Sequence, residues 1–189
     1  MKSVLISIQP KWCEKICNII DYNADNTPIY EKTIEVRKTK PKLETPFKCY
    51  IYMTKEFSRG INSCFYWYKN GKVIGEFVCD EIKEITANNL VAIYFNNPQK
   101  NTCLNDLEMR EYANGNNLFL WHISNLVIYD KPKELGEFYM VVENEDCGKC
   151  KYYDTPYESE PCNQCQGGRK YFTRPPQSWC YVESESETK

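Results

Sequence analysis

The stretch YEKTIEVRKTKPK, from Tyr30 to Lys42, alternates like a β-strand and also gathers charges of both signs. Ile34 and Val36 fall on one face of the predicted strand, and Glu35 and Arg37 fall on the other. The apolar face is suited to packing on a core. The charged face is either an ordinary solvated surface or the lining of a site for a polar or anionic ligand. The rest of the chain has to decide between these two interpretations.

Composition narrows the class of protein. The chain has 189 residues, of which 42% are hydrophobic and 14% aromatic, so it can build the core of one domain of ordinary size and is not disordered overall. The formal net charge of -2 argues against binding to nucleic acid by bulk electrostatics alone. Basic residues nevertheless outnumber acidic ones between Glu31 and Tyr50, which permits a local basic surface on an acidic protein.

The short first apolar run and the number of cysteines indicate the cellular compartment of the protein. The first apolar run ends at Gln9 and Pro10, which is too short for a signal peptide or a membrane span, so we expect a soluble, cytoplasmic protein. The 11 cysteines are an odd number in a chain too long to need disulfide staples. A reducing compartment with some cysteines on a metal ion explains them best.

The order of predicted elements indicates the fold class. We predict strands over 3–8, 30–42, 47–54 and 118–130, helices over 11–20 and 101–116, and a hairpin over 65–82 that turns at Asn70-Gly71. Consecutive strands with few helices make a doubly wound parallel sheet improbable. The expected fold is α+β, a small and mostly antiparallel β-barrel with flanking helices.

Four blocks in this order resemble the ASCH family of PUA-like barrels. They are ISIQPKWCEKI, EKTIEVRK, GKVIGEFVCDEI and LWHISNLVIYDKPKEL, and together they span roughly residues 1–135. The KTIEVRK block is the most specific, and in that family it lies beside a cleft that faces the helix after the first strand. The chain departs from the family in the longer connection DYNADNTPIY, which lacks the usual glycine.

The resemblance implies a nucleic-acid or modified-nucleobase ligand. Related PUA, EVE and YTH folds bind RNA or modified bases, and some small ASCH proteins are N4-acetylcytidine amidohydrolases or are described as ribonucleases. The amidohydrolases use a lysine, matched here by Lys32, and a threonine three residues later, where this chain has Glu35. A carboxylate in place of the nucleophilic hydroxyl argues against the same acyl-transfer chemistry.

Six residues are therefore candidates for ligand binding: Lys32, Glu35, Arg37, Trp12, Trp121 and His122. A carboxylate can accept a hydrogen bond from a base amine, cationic groups hold phosphate, and tryptophan can stack on a base. The alternatives are a structural ion pair for the charged residues, a core position for both tryptophans and an ordinary strand position for the histidine. Because charges on a strand face usually meet solvent, we expect the protein to stay folded when Lys32 or Glu35 is replaced by alanine.

The C-terminal region carries a metal-binding pattern. CGKC and CNQC supply two C-x2-C pairs, and we predict a structural zinc ion on Cys147, Cys150, Cys162 and Cys165. A basic and aromatic run, RKYFTRPPQSW, follows and either packs the knuckle on the barrel or extends a nucleic-acid surface.

The family resemblance and the cysteine pattern divide the chain into two predicted segments. These are an ASCH/PUA-like domain over 1–135 and a zinc-knuckle extension over 136–189. The predicted function is binding of RNA, a nucleotide or a modified nucleobase without contact with a membrane. The alternatives are a hydrolase of the same family and a protein-interaction module that uses the knuckle.

Overall fold

The computed structural model describes residues 2–55, 68–87, 99–141, 165–166, 169–172 and 174–183. The strands are β1 (Lys2–Ile8), β2 (Ile19–Tyr22), β3 (Pro28–Tyr30), β4 (Ile34–Arg37), β5 (Phe47–Met53), β6 (Val73–Cys79), β7 (Ile82–Ile85), β8 (Leu118–His122), β9 (Ser124–Lys133), β10 (Tyr139–Val141), β11 (Cys165–Gln166), β12 (Arg169–Tyr171) and β13 (Trp179–Glu183).

Three short α-helices lie in the described part of the chain. They are α1 (Pro10–Cys17), α2 (Gln99–Thr102) and α3 (Asp106–Ala113), and a 3-10 turn covers Leu135–Glu137. Pro10 opens α1, where its missing N–H costs no hydrogen bond. Asn105 and Glu108 close a reciprocal capping box at the start of α3, and Asn114 ends that helix in the left-handed conformation.

Two main sheets share the fold. Eight strands form one sheet in the order β11-β12-β10-β13-β1-β5-β6-β9, and β4-β8-β7 form a three-stranded sheet, while β2 and β3 pair as a separate hairpin. Neighbouring strands in the described part of the chain pair antiparallel, except that β1 and β5 pair parallel with each other. The fold is thus the expected α+β class with a largely antiparallel sheet. The expected closed barrel is not formed by the described strands, because β11 and β9 stand at opposite ends of the sheet order.

The main core lies between the two sheets and beneath α1. Val4, Ile6 and Ile8 alternate along β1 into this core, where Trp121 of β8 meets them. A second apolar cluster covers the other face of the large sheet, and a third packs α3 on the small sheet. Val36 belongs to the third cluster, which confirms the predicted apolar face of the charged strand.

Several predicted elements differ from the structure. In the hairpin expected over 65–82, Tyr68 and Lys69 are helical, and β6 pairs with β5 and β9 instead. The helix expected over 11–20 ends at Cys17, because the β-branched residues that follow enter β2. The helix expected over 101–116 is split into α2 and α3 at Cys103, whose φ of 59° interrupts the helix. The strand expected over 118–130 is divided at Ile123 into β8 and β9, which belong to different sheets. β9 continues past Pro132 to Lys133, because it lies at the edge of the described sheet, where proline is tolerated.

The region after residue 135 joins the same sheet. β13 pairs with β1 in the register Leu5↔Cys180, and β10 and β12 continue the sheet beyond β13. The predicted segment boundary near residue 135 therefore does not coincide with a break in the sheet. Phe172 is buried in the second apolar cluster, so at this position the basic and aromatic run packs on the sheet.

The predicted zinc site lies almost wholly outside the described residues. Cys147, Cys150 and Cys162 belong to the part that is not described, and Cys165 is placed only as the first residue of β11. Among the side chains that are described, no group of three or more histidine, cysteine or acidic residues could hold a metal ion. None of the described helices is long and apolar enough to cross a membrane.

Candidate functional site

A cleft of about 780 Å³ opens where the end of β1, helix α1, strand β4 and helix α3 meet. The strand β4 supplies the floor, α1 supplies one wall and α3 supplies another. Gln177 and Ser178, which precede β13, also line it. The residues of the KTIEVRK block thus lie at a concave site built from segments distant in sequence. Of the predicted ligand residues, this cleft brings together Lys32, Glu35, Arg37 and Trp12.

The floor of the cleft is a buried charge cluster. The Glu35 carboxylate lies between two cations, with Lys32 Nζ 3.3 Å from Oε2 and Arg37 Nη2 3.0 Å from Oε1. All three residues are buried: Lys32 is 2% exposed, Glu35 is 6% exposed and Arg37 is 7% exposed. The expectation that these charges face solvent was wrong. Segments from both ends of the chain cover the strand, and two opposed cations neutralise the carboxylate enough for burial.

The ammonium group of Lys32 uses its hydrogen-bonding capacity inside the protein. It donates to the carbonyl oxygens of Ile34 at 2.7 Å and Thr102 at 2.8 Å, and it pairs with Glu35. A lysine ammonium has only three N–H donors, so these partners saturate it. The bond to Thr102 also ties β4 to the segment that leads into α3. Lys32 therefore positions the floor of the cleft relative to the α3 wall.

The hydrogen-bond donors of Arg37 are less fully satisfied than those of Lys32. Its Nη2 donates to the carbonyl oxygen of Ser7 at 2.6 Å and pairs with Glu35, while Nη1 reaches Ser178 Oγ at 3.4 Å, a long contact. Its Nε is buried and has no hydrogen-bond partner among the described residues. A guanidinium offers five donors in a planar fork. Arg37 thus anchors the ends of β1 and β13 and still has donor capacity to spare at the floor.

An aromatic ring with nearby cations forms the α1 wall. Trp12 is half-buried, lines the cleft and packs against the main core. The ammonium of Lys11 lies 4.6 Å from the centre of this ring, and that of Lys32 lies 5.4 Å away. An accessible indole beside the Lys11 ammonium can stack on a base while that cation attracts its phosphate.

Helix α3 contributes an acidic and aromatic wall. Met109 and Ala113 are buried on its inner face. Glu108, Glu111 and Tyr112, at positions i, i+3 and i+4, share the face that lines the cleft. Burial raises the pKa of the Tyr112 hydroxyl. The nearby charge of Arg37 lowers this pKa and that of Glu35 raises it, both by less than burial does. Tyr112 therefore lies close enough to the charge cluster to interact with it electrostatically.

Trp121 and His122 lie away from the cleft lining. Trp121 is fully buried in the main core, edge-on to Phe47 at 5.9 Å, so the core alternative describes its position. His122 is 44% exposed, and its Nδ1 lies 2.7 Å from the carboxylate of Asp80. The histidine lies at the end of β8, where it pairs with the turn between β6 and β7.

Six of the described cysteines are buried or partly buried free thiols: Cys13, Cys17, Cys49, Cys79, Cys103 and Cys180. Cys13 is fully buried on α1, as expected for a packed helix residue, and burial raises its pKa well above the ordinary value. Burial likewise raises the pKa of Cys17 to about 11 and that of Cys180 to about 12. These groups remain protonated near neutral pH and offer little thiolate for chemistry.

Several cleft residues were missed from the sequence alone, chiefly Lys38, Glu111, Tyr112 and Ser178. The helical spacing of 108, 111 and 112 beside the apolar pair 109 and 113 was a usable signal that these side chains share a face. It did not indicate what that face would meet. Ser178 follows a proline-rich run, and only the pairing of β13 with β1 brings it to the cleft.

Comparison with known proteins identifies the fold. No family model and no curated protein matches the chain. The crystal structure of ASCH from Zymomonas mobilis is similar with a TM-score of 0.53 and 16% identity, covering 96% of this chain and 87% of that chain. The crystal structure of a serine-to-alanine mutant of the same protein is similar with a TM-score of 0.52 and 16% identity, covering 96% of this chain and 88% of that chain. At this level of identity the likeness concerns the fold, and this chain has the fold of the Zymomonas mobilis ASCH protein.

Proposed function

We propose that this protein binds a nucleobase or nucleotide, free or within single-stranded RNA, in the cleft between α1 and α3. The observation that carries the proposal is the combination of an accessible Trp12 with cations around a concave site of about 780 Å³. That volume lies in the range of pockets that accept small ligands. A flat base suits the ring, and a phosphate suits Lys11 and Lys38 at the rim.

Binding is preferred over amide hydrolysis because of the state of Lys32. A lysine that activates a hydroxyl must carry a free lone pair, which requires a neutral amine. Lys32 instead donates to two carbonyl oxygens and pairs with a carboxylate, so its nitrogen presents no free lone pair to a hydroxyl. Glu35, at the position of the family's threonine, holds two cations in place and offers no hydroxyl.

The test is fluorescence anisotropy with a labelled single-stranded RNA of mixed sequence, measured at several salt concentrations. Trp12→Ala should weaken binding by about 1–3 kcal/mol, the contribution of one base–aromatic stack. Tyr22→Ala is the matched control, since Tyr22 is an exposed aromatic on the β2–β3 hairpin, outside the cleft lining. Equal binding by the Trp12 variant and the parent would refute the proposal. Incubation with N4-acetylcytidine tests the hydrolase alternative, and product formation would support it.

We also propose a structural zinc ion on Cys147, Cys150, Cys162 and Cys165. The support is the donor set, four thiolates in two C-x2-C pairs, which suits tetrahedral zinc. Cys165 begins β11, and β11 pairs with β12 in the register Gln166↔Arg169, so one C-x2-C pair leads directly into a hairpin of the large sheet. Bound zinc would hold the segment before this hairpin and so stabilise the sheet edge.

Elemental analysis of protein purified without added zinc tests this site. We expect about one zinc per chain, reduced by Cys147→Ser and unaffected by Cys180→Ser, since Cys180 lies on β13 outside the predicted set. Metal-free protein with these four cysteines joined as disulfides would contradict the proposal.

A further inference from the structure

The carboxylates of the cleft are not equally available to a ligand. The two oxygens of Glu35 each face a cation within 3.3 Å, and the residue is 6% exposed. Glu108 uses Oε2 to accept the backbone N–H of Asn105 at 2.9 Å, which caps α3. Glu111 lies exposed on the cleft wall and has no hydrogen bond or ion pair among the described residues. Of the three, Glu111 has the greatest acceptor capacity left for a ligand.

The neighbouring ring offers a platform beside this acceptor. Tyr112 is 39% exposed and lines the same cleft, and the ammonium of Lys38 lies 5.3 Å from its ring centre. Stacking a base on a tyrosine leaves the edge of the base free to meet an adjacent side chain. Helix α3 thus presents a stacking ring and an unpaired carboxylate at consecutive positions.

Charge across the cleft sets the orientation of a ligand. Acidic residues lie on the α3 wall, whereas the ammonium of Lys11 lies at the opposite, α1 wall beside Trp12. A phosphate is repelled by carboxylates and attracted by the ammonium group. A ligand that carries both a phosphate and an amine would therefore turn its amine toward α3.

We infer that the cleft selects a base with an exocyclic amine, cytosine or adenine, and that Glu111 and Tyr112 read it. The Glu111 carboxylate accepts a hydrogen bond from the amine, and Tyr112 supports the ring. A carboxylate has no donor for a carbonyl oxygen, so uracil and hypoxanthine, which carry a carbonyl at the corresponding position, are disfavoured. This inference rests on the proposed function and names its specificity.

Two matched pairs of probes measure this selection. Fluorescence anisotropy compares oligocytidine with oligouridine, and oligoadenosine with oligoinosine, at equal length and salt. We expect the parent to prefer the amine-bearing member of at least one pair by about fivefold or more. Glu111→Gln should abolish the preference, because an amide both donates and accepts. Tyr112→Ala should weaken binding to both members of the pair, and Tyr112→Phe should restore it.

Controls separate the possible failures. Glu44→Gln replaces an exposed glutamate outside the cleft lining and should retain the preference. A parent that binds none of the probes refutes the proposed function itself. A parent that binds without preference in either pair, or a folded Glu111→Gln variant that keeps the preference, overturns this inference and leaves the proposed binding function standing. Circular dichroism and melting curves establish that each variant is folded.

Discussion

The floor and the α3 wall of the cleft carry similar chemical groups, but they use them differently. On the floor, Lys32, Glu35 and Arg37 are buried and paired with one another. On the wall, Glu111 and Tyr112 are exposed, and the carboxylate has no partner among the described residues. The comparison shows that a charged residue in a cleft is not automatically a ligand residue. Groups whose hydrogen bonds the protein satisfies, as at Lys32 and Glu35, build the site, whereas a group that is exposed and has spare capacity can bind a ligand.

The largest effect is expected on the floor. Glu35→Ala would leave two cations buried together without the carboxylate between them, and we expect a loss of about 3–5 kcal/mol in the free energy of unfolding. Urea denaturation followed by circular dichroism measures it. Glu81→Ala is the control, because its ion pair with Lys83 lies at 55% and 67% exposure and should contribute at most about 1 kcal/mol. Similar small losses for both variants would mean that the floor charges are effectively solvated.

A smaller effect is expected at the rim, on binding and not on stability. Lys38 is exposed, so Lys38→Ala should leave the melting temperature unchanged. If it contacts an RNA phosphate, its loss should reduce the slope of log binding constant against log salt by about 0.7. Lys83→Ala, outside the cleft, is the control. The prediction would be contradicted if a folded Lys32→Ala variant flattened the salt dependence and Lys38→Ala did not. Phosphate binding would then involve the floor of the cleft and not its rim.

The smallest effect is expected at the exposed pair formed by His122 of β8 and Asp80 of the turn between β6 and β7. Burial raises the pKa of Asp80, but the hydrogen bond and charge of His122 outweigh it, so the net pKa lies below its ordinary value. A carboxyl with a lowered pKa in the folded state adds stability above its unfolded pKa and loses it as the pH falls through the folded pKa. His122→Ala should therefore slightly flatten the acid limb of the stability curve.

The same variant bears on the predicted binding role of His122. The residue lies outside the cleft lining, so His122→Ala should leave RNA affinity unchanged. Acid titrations of parent and variant, together with anisotropy at neutral pH, give both measurements. Weaker RNA binding by the variant would show that the ligand surface extends beyond the cleft to the end of β8.

Local pattern determined several features of this protein from the sequence. Alternation along 34–37 correctly assigned Val36 to the core and Glu35 to the opposite face. The β-branched run after Lys2 became a strand, and the position of the KTIEVRK block beside a cleft agreed with the resemblance to ASCH proteins. These features depend on residues within a few positions of one another, where side-chain periodicity is sufficient.

Tertiary structure alone decided how the charges are used. Lys32 is saturated because Thr102 comes to it from 70 positions along the chain. Glu111 and Ser178 reach the cleft through the packing of α3 and the pairing of β13 with β1. The sequence shows which donors and acceptors exist, but their availability depends on distant groups that fold against them. Burial and long-range hydrogen bonding are properties of the folded chain, and they separate the residues that build this cleft from those that can bind in it.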